Sequence, residues 1–215
     1  VKEKTDAALR VVEGVAQKAA GQVRLALRPY TIPNGITLLR LVLVPLFALA
    51  TVERNYVLAA VVFALAGVSD ALDGLLARLL AARSLLGTYL DPIADKALLV
   101  TAYIVLTWPA PGVVSIPVWL TVMALSRDVL IVLVALLLYL GAGIREFFPS
   151  LLGKATTVVH IVTVGAVILA NLVPVEESLL AGLFYLALTL TVLSGLDYLR
   201  RVAQQVEALH DARGK

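Results

Sequence analysis

Asp70-Ala71-Leu72-Asp73-Gly74-Leu75-Leu76-Ala77-Arg78, followed by Gly87, Asp91 and Asp95, is the stretch whose reading decides how this chain is built. Four carboxylates and an arginine interrupt sequence that is otherwise apolar enough to cross a bilayer. Ionisable residues at that depth are costly and mark functional sites. Helical spacing gathers them. At about 100° per residue, Asp73 lies about 60° from Asp70, Gly74 about 40° and Ala77 about 20°, so all four face one way. On the next segment Gly87, Asp91 and Asp95 climb one stripe at i, i+4 and i+8. Small residues on these stripes leave room for a ligand or a neighbouring backbone. The depths agree as well: Asp73 is roughly 15 Å of helix from Arg83, and Asp91 and Asp95 lie about 10–17 Å beyond Ser84. Two antiparallel neighbours joined by a short link would bring these acids together.

The surrounding composition sets the class. Of 215 residues, 60% are hydrophobic and only 15% charged, against about 25% charged in soluble domains; the mean hydropathy is +0.95. A bilayer core takes about 20 apolar residues as a helix. Six such segments are present, at 34–52, 56–80, 86–108, 115–141, 151–173 and 178–199. The expectation is an all-α polytopic membrane protein of six transmembrane helices occupying 31–202, with residues 203–215 as a cytoplasmic tail. There is no cysteine, which excludes disulfides and thiolate metal sites, and two histidines, His160 and His210, are too far apart for a zinc site.

Charge distribution orients the bundle. Connections after the first, third and fifth segments carry Glu53, Glu176 and Glu177 and a single basic residue, Arg54. The opposite side receives Lys2, Lys4, Arg10, Lys18, Arg24, Arg28, Arg83, Arg145, Arg200, Arg201, Arg213 and Lys215. The positive-inside rule therefore predicts that both termini are cytoplasmic, as an even number of spans requires. The bacterial inner membrane is the default location, with the acids toward the cytoplasm. Within the N-terminal segment 1–30, residues 2–28 read as an amphipathic interfacial helix. Asp6, Arg10, Glu13, Arg24 and Arg28 lie near one face, with Val12, Ala16, Ala19, Val23 and Leu27 on the other. Pro33 suits the first turn of the helix that follows.

Four ionised carboxylates cannot stay unmatched in this setting; either several are protonated or cations neutralise them. Hard divalent ions, Mg²⁺ or Mn²⁺, suit an all-oxygen donor set and bridge to phosphate oxygens. Two metals beside a pyrophosphate would stabilise both attacking and leaving oxygens. The residues thus point to metal-assisted phosphoryl chemistry near the cytoplasmic face. A packing role, with Arg78 paired to Asp70 or Asp73 and Lys96 to another acid, explains less, because buried ion pairs are a poor source of net stability. A divalent-cation transporter would also use an acidic cluster. Such folds are built from repeats with broken helices, and no repeat is present here.

Written as D-x2-D-G-x2-A-R-x8-G-x3-D-x3-D, the stretch resembles at every fixed position the signature of the CDP-alcohol phosphatidyltransferases. The resemblance implies attack of an alcohol on the β-phosphorus of a CDP-linked lipid, with release of CMP. It implies that Asp70, Asp73, Asp91 and Asp95 hold two metal ions and that Asp95 is the general base, with Asp91 beside it at the reacting centre. Gly74, Ala77, Arg78 and Gly87 would border the CDP moiety, and the family implies a homodimer.

Ile32-Pro33-Asn34-Gly35-Ile36-Thr37-Leu38-Leu39-Arg40 is similar to the opening of the phosphatidylglycerophosphate synthase branch, shared by CMP-forming cardiolipin synthases. Asn34 and Thr37 are candidate nucleotide contacts, with helix capping the alternative for Asn34. Arg40 would reach lipid phosphates or snorkel. Arg127, in Ser126-Arg127-Asp128 of the fourth segment, is expected to face a polar cavity and bind an acceptor phosphate, with Asp128 about 100° away. Lys154, in Gly153-Lys154-Ala155-Thr156-Thr157, is expected to join it. A basic pair suits an acceptor that already carries phosphate. The implied reaction moves a phosphatidyl group from CDP-diacylglycerol to glycerol-3-phosphate. Ser126-Arg127-Asp128 is closer to the cardiolipin branch, whose acceptor is phosphatidylglycerol. No nucleic-acid partner is expected. His160 is expected to hydrogen-bond within the bundle, Asp197 with Arg200 and Arg201 to anchor the last helix, and Trp108 and Tyr198 to sit in an aromatic belt.

Overall fold

The computed structural model describes residues 32–80, 85–142 and 150–213, with side chains at 38–69, 96–138, 140 and 150–207. The interfacial helix expected over 2–28 lies outside the described residues. Among those described, six α-helices follow one another: α1 (Ile32–Val52), α2 (Tyr56–Leu80), α3 (Leu85–Thr107), α4 (Val118–Ala142), α5 (Leu151–Ala170) and α6 (Glu177–Arg213). Three are long and apolar enough to cross a membrane, through Val118–Leu138, Leu151–Ala170 and Glu177–Glu207; shorter apolar stretches are Leu38–Val52, Tyr56–Ser69 and Lys96–Thr107. The predicted segments match the helices closely, except that α5 ends at Ala170 rather than 173, and at two further ends. α4 starts at Val118 rather than 115, because Pro117 ends an irregular stretch and its carbonyl accepts from the amides of Leu120 and Thr121. α6 runs to Arg213 instead of stopping near 199. Arg200–Arg213 contains no glycine or proline and is rich in strong helix formers, so nothing in it stops the helix.

The pattern of burial is that of a protein surrounded by hydrocarbon. Val42, Leu49, Val57, Val132, Leu140 and Leu179 are exposed, while Thr121, Thr156, Thr163, Thr191, Ser194 and His160 are buried. Several buried threonine hydroxyls are satisfied inside their own helices. Thr51 donates to the Phe47 carbonyl (2.9 Å), Thr163 to Val159 (2.8 Å) and Thr191 to Ala187 (2.6 Å). This back-bonding lets a polar side chain lie in an apolar environment without an unmatched donor.

Two compact units divide the chain, one from Val1–Leu46 and Val62–Leu98, the other from Phe47–Val61 and Leu99–Lys215. In the first, Arg40, Leu43, Val62, Ala66 and Leu98 are buried. In the second, α6 packs on α5 and α4. Val164, Val167, Ile168, Phe184 and Ala187 form apolar core, and Thr156 donates across to the Leu190 carbonyl at 3.1 Å. The ring of Tyr198 does not simply join an aromatic belt: its hydroxyl donates to the Ile131 carbonyl of α4 at 3.3 Å.

The turns in the second unit are fixed by specific residues. α1 ends with Arg54 at φ 59°, the left-handed region. The Asn55 amide bonds Ala50 O at 2.8 Å and the Arg54 amide Thr51 O at 3.0 Å, a Schellman closure. The Asn55 side chain then accepts from the Leu58 amide at 3.1 Å and caps α2. Between α3 and α4, Ala110-Pro111-Gly112-Val113 closes through Val113 N to Ala110 O (3.2 Å), with Gly112 at φ 72°, as a type II turn requires. Asn171, at the C-terminal cap of α5, holds the same loop. It accepts from the Val114 amide (2.9 Å) and donates to the Val114 and Val167 carbonyls, both at 2.8 Å.

These two asparagines do different work. Asn55→Ala removes one helix cap, a loss of about 1 kcal/mol. Asn171→Ala strips the partners from groups on two segments, each left unmatched at about 1–3 kcal/mol. Thermal unfolding in one detergent should therefore rank wild type above Asn55→Ala, and Asn55→Ala above Asn171→Ala.

Candidate active site

Uninterrupted helix carries the acidic stretch. Asp70, Asp73, Gly74, Ala77 and Arg78 lie on α2, and Gly87, Asp91 and Asp95 on α3. The spacings i, i+3, i+4, i+7 and i, i+4, i+8 are therefore true helical registers, and each set shares a face of its own helix. The side chains of these residues, and with them the expected convergence of the carboxylates, lie outside those described. Among the described residues no group of three or more His, Asp or Glu could hold a metal ion. Asn34 and Thr37 lie on α1, which begins at Ile32; Pro33 thus falls in the first turn as expected, and Asn34 lies within that turn rather than at the cap. Arg40, two turns in, is 1% exposed, so it is enclosed by protein rather than snorkelling to an interface.

The second basic group is fully described. Arg127 on α4 has a side chain only 13% exposed. The neighbouring Asp128 is not turned away from it. Arg127 Nη1 donates to Asp128 Oδ1 at 2.7 Å, and its Nη2 donates to Ser194 Oγ of α6 at 2.7 Å. Adjacent helical positions point apart, but the arginine side chain is long enough to fold across and meet its neighbour. Its Nε is buried and has no hydrogen-bond partner among the described residues.

Small residues make room for this guanidinium. A Cβ at Gly153 would come within 3.3 Å of Arg127 Nη2 and 3.1 Å of Ser150 Oγ, and one at Gly195 within 3.9 Å of Arg127 Cγ. Ser150 is the N-cap of α5, accepting from the Gly153 amide at 2.9 Å. The arginine therefore lies against the first turn of α5, where Lys154 follows Gly153 with an exposed side chain. The two basic positions expected to act together are thus brought to the same end of α5. Ser194, 67 residues from Arg127, carries no motif that would reveal it in the sequence. Ser150 is legible, since a serine just before an apolar run is a helix-start signal.

The remaining polar residues are structural. His160 Nε2 meets Thr191 Oγ1 at 2.8 Å, and its ring lies 5.0 Å from that of Tyr103, in keeping with a role inside the bundle. Asp197 accepts from Arg201 Nε at 2.9 Å, one turn on, within α6.

Comparison with known proteins places this arrangement. A family model for CDP-alcohol phosphatidyltransferases matches residues 30–193, which include every position of the acidic pattern as well as Arg127 and Lys154. A probable phosphatidylglycerophosphate synthase of Mycobacterium tuberculosis is 34% identical over 198 residues, covering 89% of this chain and 90% of its own. A CDP-diacylglycerol–glycerol-3-phosphate 3-phosphatidyltransferase of Bacillus subtilis is 31% identical, covering 79% of this chain and 93% of its own. A CMP-forming cardiolipin synthase of Homo sapiens is 33% identical over 85% of this chain, which spans 65% of the human protein's length. With the acids in register on two helices and the family match running over most of the sequence, the chain belongs to the CDP-alcohol phosphatidyltransferase family.

Proposed function

We propose that this protein transfers a phosphatidyl group from CDP-diacylglycerol to glycerol-3-phosphate, forming phosphatidylglycerophosphate and releasing CMP. The observation that carries this reading is the complete acidic pattern held in helical register on α2 and α3, within a chain matched nearly end to end by relatives named for that reaction. The donor set fits a hard divalent cation: four carboxylates, no cysteine anywhere and no histidine in the stretch. Asp70, Asp73, Asp91 and Asp95 would hold Mg²⁺ or Mn²⁺, two ions by the number of acids. Bound there, the ions neutralise charge on the pyrophosphate.

The chain's own groups do the rest. Asn34, Thr37, Gly74, Ala77, Arg78 and Gly87 border the CDP moiety. Asp95, with Asp91 beside it, takes the proton from the acceptor hydroxyl. The freed oxygen pair bonds the β-phosphorus, and the bridging P–O bond breaks with its electrons leaving on CMP. Arg127 and Lys154 receive the acceptor's phosphate. The buried Nε of Arg127 supports this, since it leaves one donor without a partner among the described residues. Six spans, both termini and the site on the cytoplasmic side, an interfacial helix over 1–30, a homodimer and a bacterial inner membrane complete the proposed arrangement.

One observation favours a second reading. Asp128 bonds Arg127 directly and reduces the positive charge available to a phosphate monoester. Phosphatidylglycerol, which has no monoester, would suit that balance and would make the product cardiolipin. Purified protein with Mg²⁺ or Mn²⁺ and cytidine-labelled CDP-diacylglycerol separates the two. Labelled CMP should be released with glycerol-3-phosphate; release with phosphatidylglycerol alone would move the protein to the cardiolipin branch, and release with no alcohol would remove it from the reaction class. Asp95→Asn should lower turnover by about 10²–10⁴-fold, the usual contribution of a positioned base.

Acceptor binding has its own test. Arg127→Gln removes a charged donor, and Gly153→Ala presses a methyl group on the same guanidinium. Each should raise KM for glycerol-3-phosphate roughly tenfold or more while leaving KM for CDP-diacylglycerol unchanged. Equal effects on both substrates would place Arg127 outside the acceptor site.

A further inference from the structure

Near the opposite end of α2 from the acidic stretch, a cavity of about 420 Å³ opens beside the α1–α2 turn and the α3–α4 loop. Its lining combines three chemistries. Arg54 supplies charge, Tyr56, Trp108 and Pro109 supply the rigid amphipathic rim, and Val52 and Ile104 supply alkyl surface. We propose that this cavity binds the phosphodiester head group of an anionic phospholipid, with an acyl chain lying along Val52 and Ile104.

Arg54 carries the argument. It is exposed, and its side chain makes no hydrogen bond or ion pair to any described residue. It is also the single basic residue on the three connections that carry Glu53, Glu176 and Glu177. Glu53 next to it does not line the cavity. Its backbone stands at φ 59°, where glycine is the usual occupant and a long side chain is strained. A cation at a position that favours glycine, and aimed at no acid among the described residues, is placed for a ligand.

The neighbours say which ligand. A free phosphate would need only the guanidinium. Here exposed apolar side chains, Val52 at 71% and Ile104 at 50%, run from the charge along α1 and α3. Trp108, 77% exposed, has the amphipathic character of residues that sit at head-group depth. A molecule with an anionic head and a long alkyl tail matches both halves of the lining. The volume is within the range of built small-molecule sites.

Phosphatidylglycerol is the probe. Full-length protein is exchanged into nanodiscs of phosphatidylcholine or of phosphatidylcholine with phosphatidylglycerol, then extracted gently, and the retained lipid is counted by native mass spectrometry. Wild type should keep phosphatidylglycerol in preference to phosphatidylcholine. Arg54→Gly, which suits the same backbone and so keeps the turn, should retain about fivefold less, and the loss should be mimicked by high salt. Lipid held at the active site is common to both proteins, so only the difference between them reports this cavity. CMP release by Arg54→Gly in detergent should equal that of wild type, which keeps the test separate from the proposed reaction. Equal retention by the two proteins would overturn the proposal, as would displacement of the lipid by inorganic phosphate at millimolar concentration.

Discussion

Hydrocarbon offers no hydrogen-bond partner, so each polar group that enters it has to be matched from within the protein. Much of the described part of this chain obeys that constraint. Threonine hydroxyls fold back on carbonyls four residues earlier, as at Thr51, Thr163 and Thr191. His160 finds Thr191, and Asn171 holds both polar groups of Val114. Even the connection between α1 and α2 is closed by its own backbone and by the Asn55 side chain.

Where that matching is incomplete, function enters. Arg127 is the clearest case among the described residues. Two of its nitrogens are occupied by Asp128 and Ser194 while its Nε is buried without a partner. Glycines at 153 and 195 leave space for it. In the sequence, four aspartates on α2 and α3 bring more negative charge than Arg78 and Lys96 of the same helices can balance. Divalent cations answer both the charge and the chemistry of the family. In the proposed function, the ligands of the reaction would complete what the protein leaves unmatched.

The six helices among the described residues were legible from sequence because long apolar runs between Pro- and Glu-containing turns leave little choice of structure. Ends were less so. α6 passes Arg200 and Arg201 without a break, since charge alone does not stop a helix. The acidic pattern was legible because its residues are close in sequence and keep helical spacing. The surroundings of Arg127 were not: Ser194 is 67 residues away, and the Asp128 contact depends on how a flexible side chain folds rather than on helical angle. The partner of Tyr198 was hidden for the same reason, its hydroxyl reaching a carbonyl of α4 that no motif marks.

The central claim is that the acids of α2 and α3 together form one divalent-metal site. Mn²⁺ binding to the purified protein, followed by electron paramagnetic resonance without any turnover, addresses it directly. Two ions bound per chain, with binding lost both in Asp70→Asn and in Asp91→Asn, is the predicted result. Binding that is unchanged when either helix loses its aspartate would contradict a site shared between them.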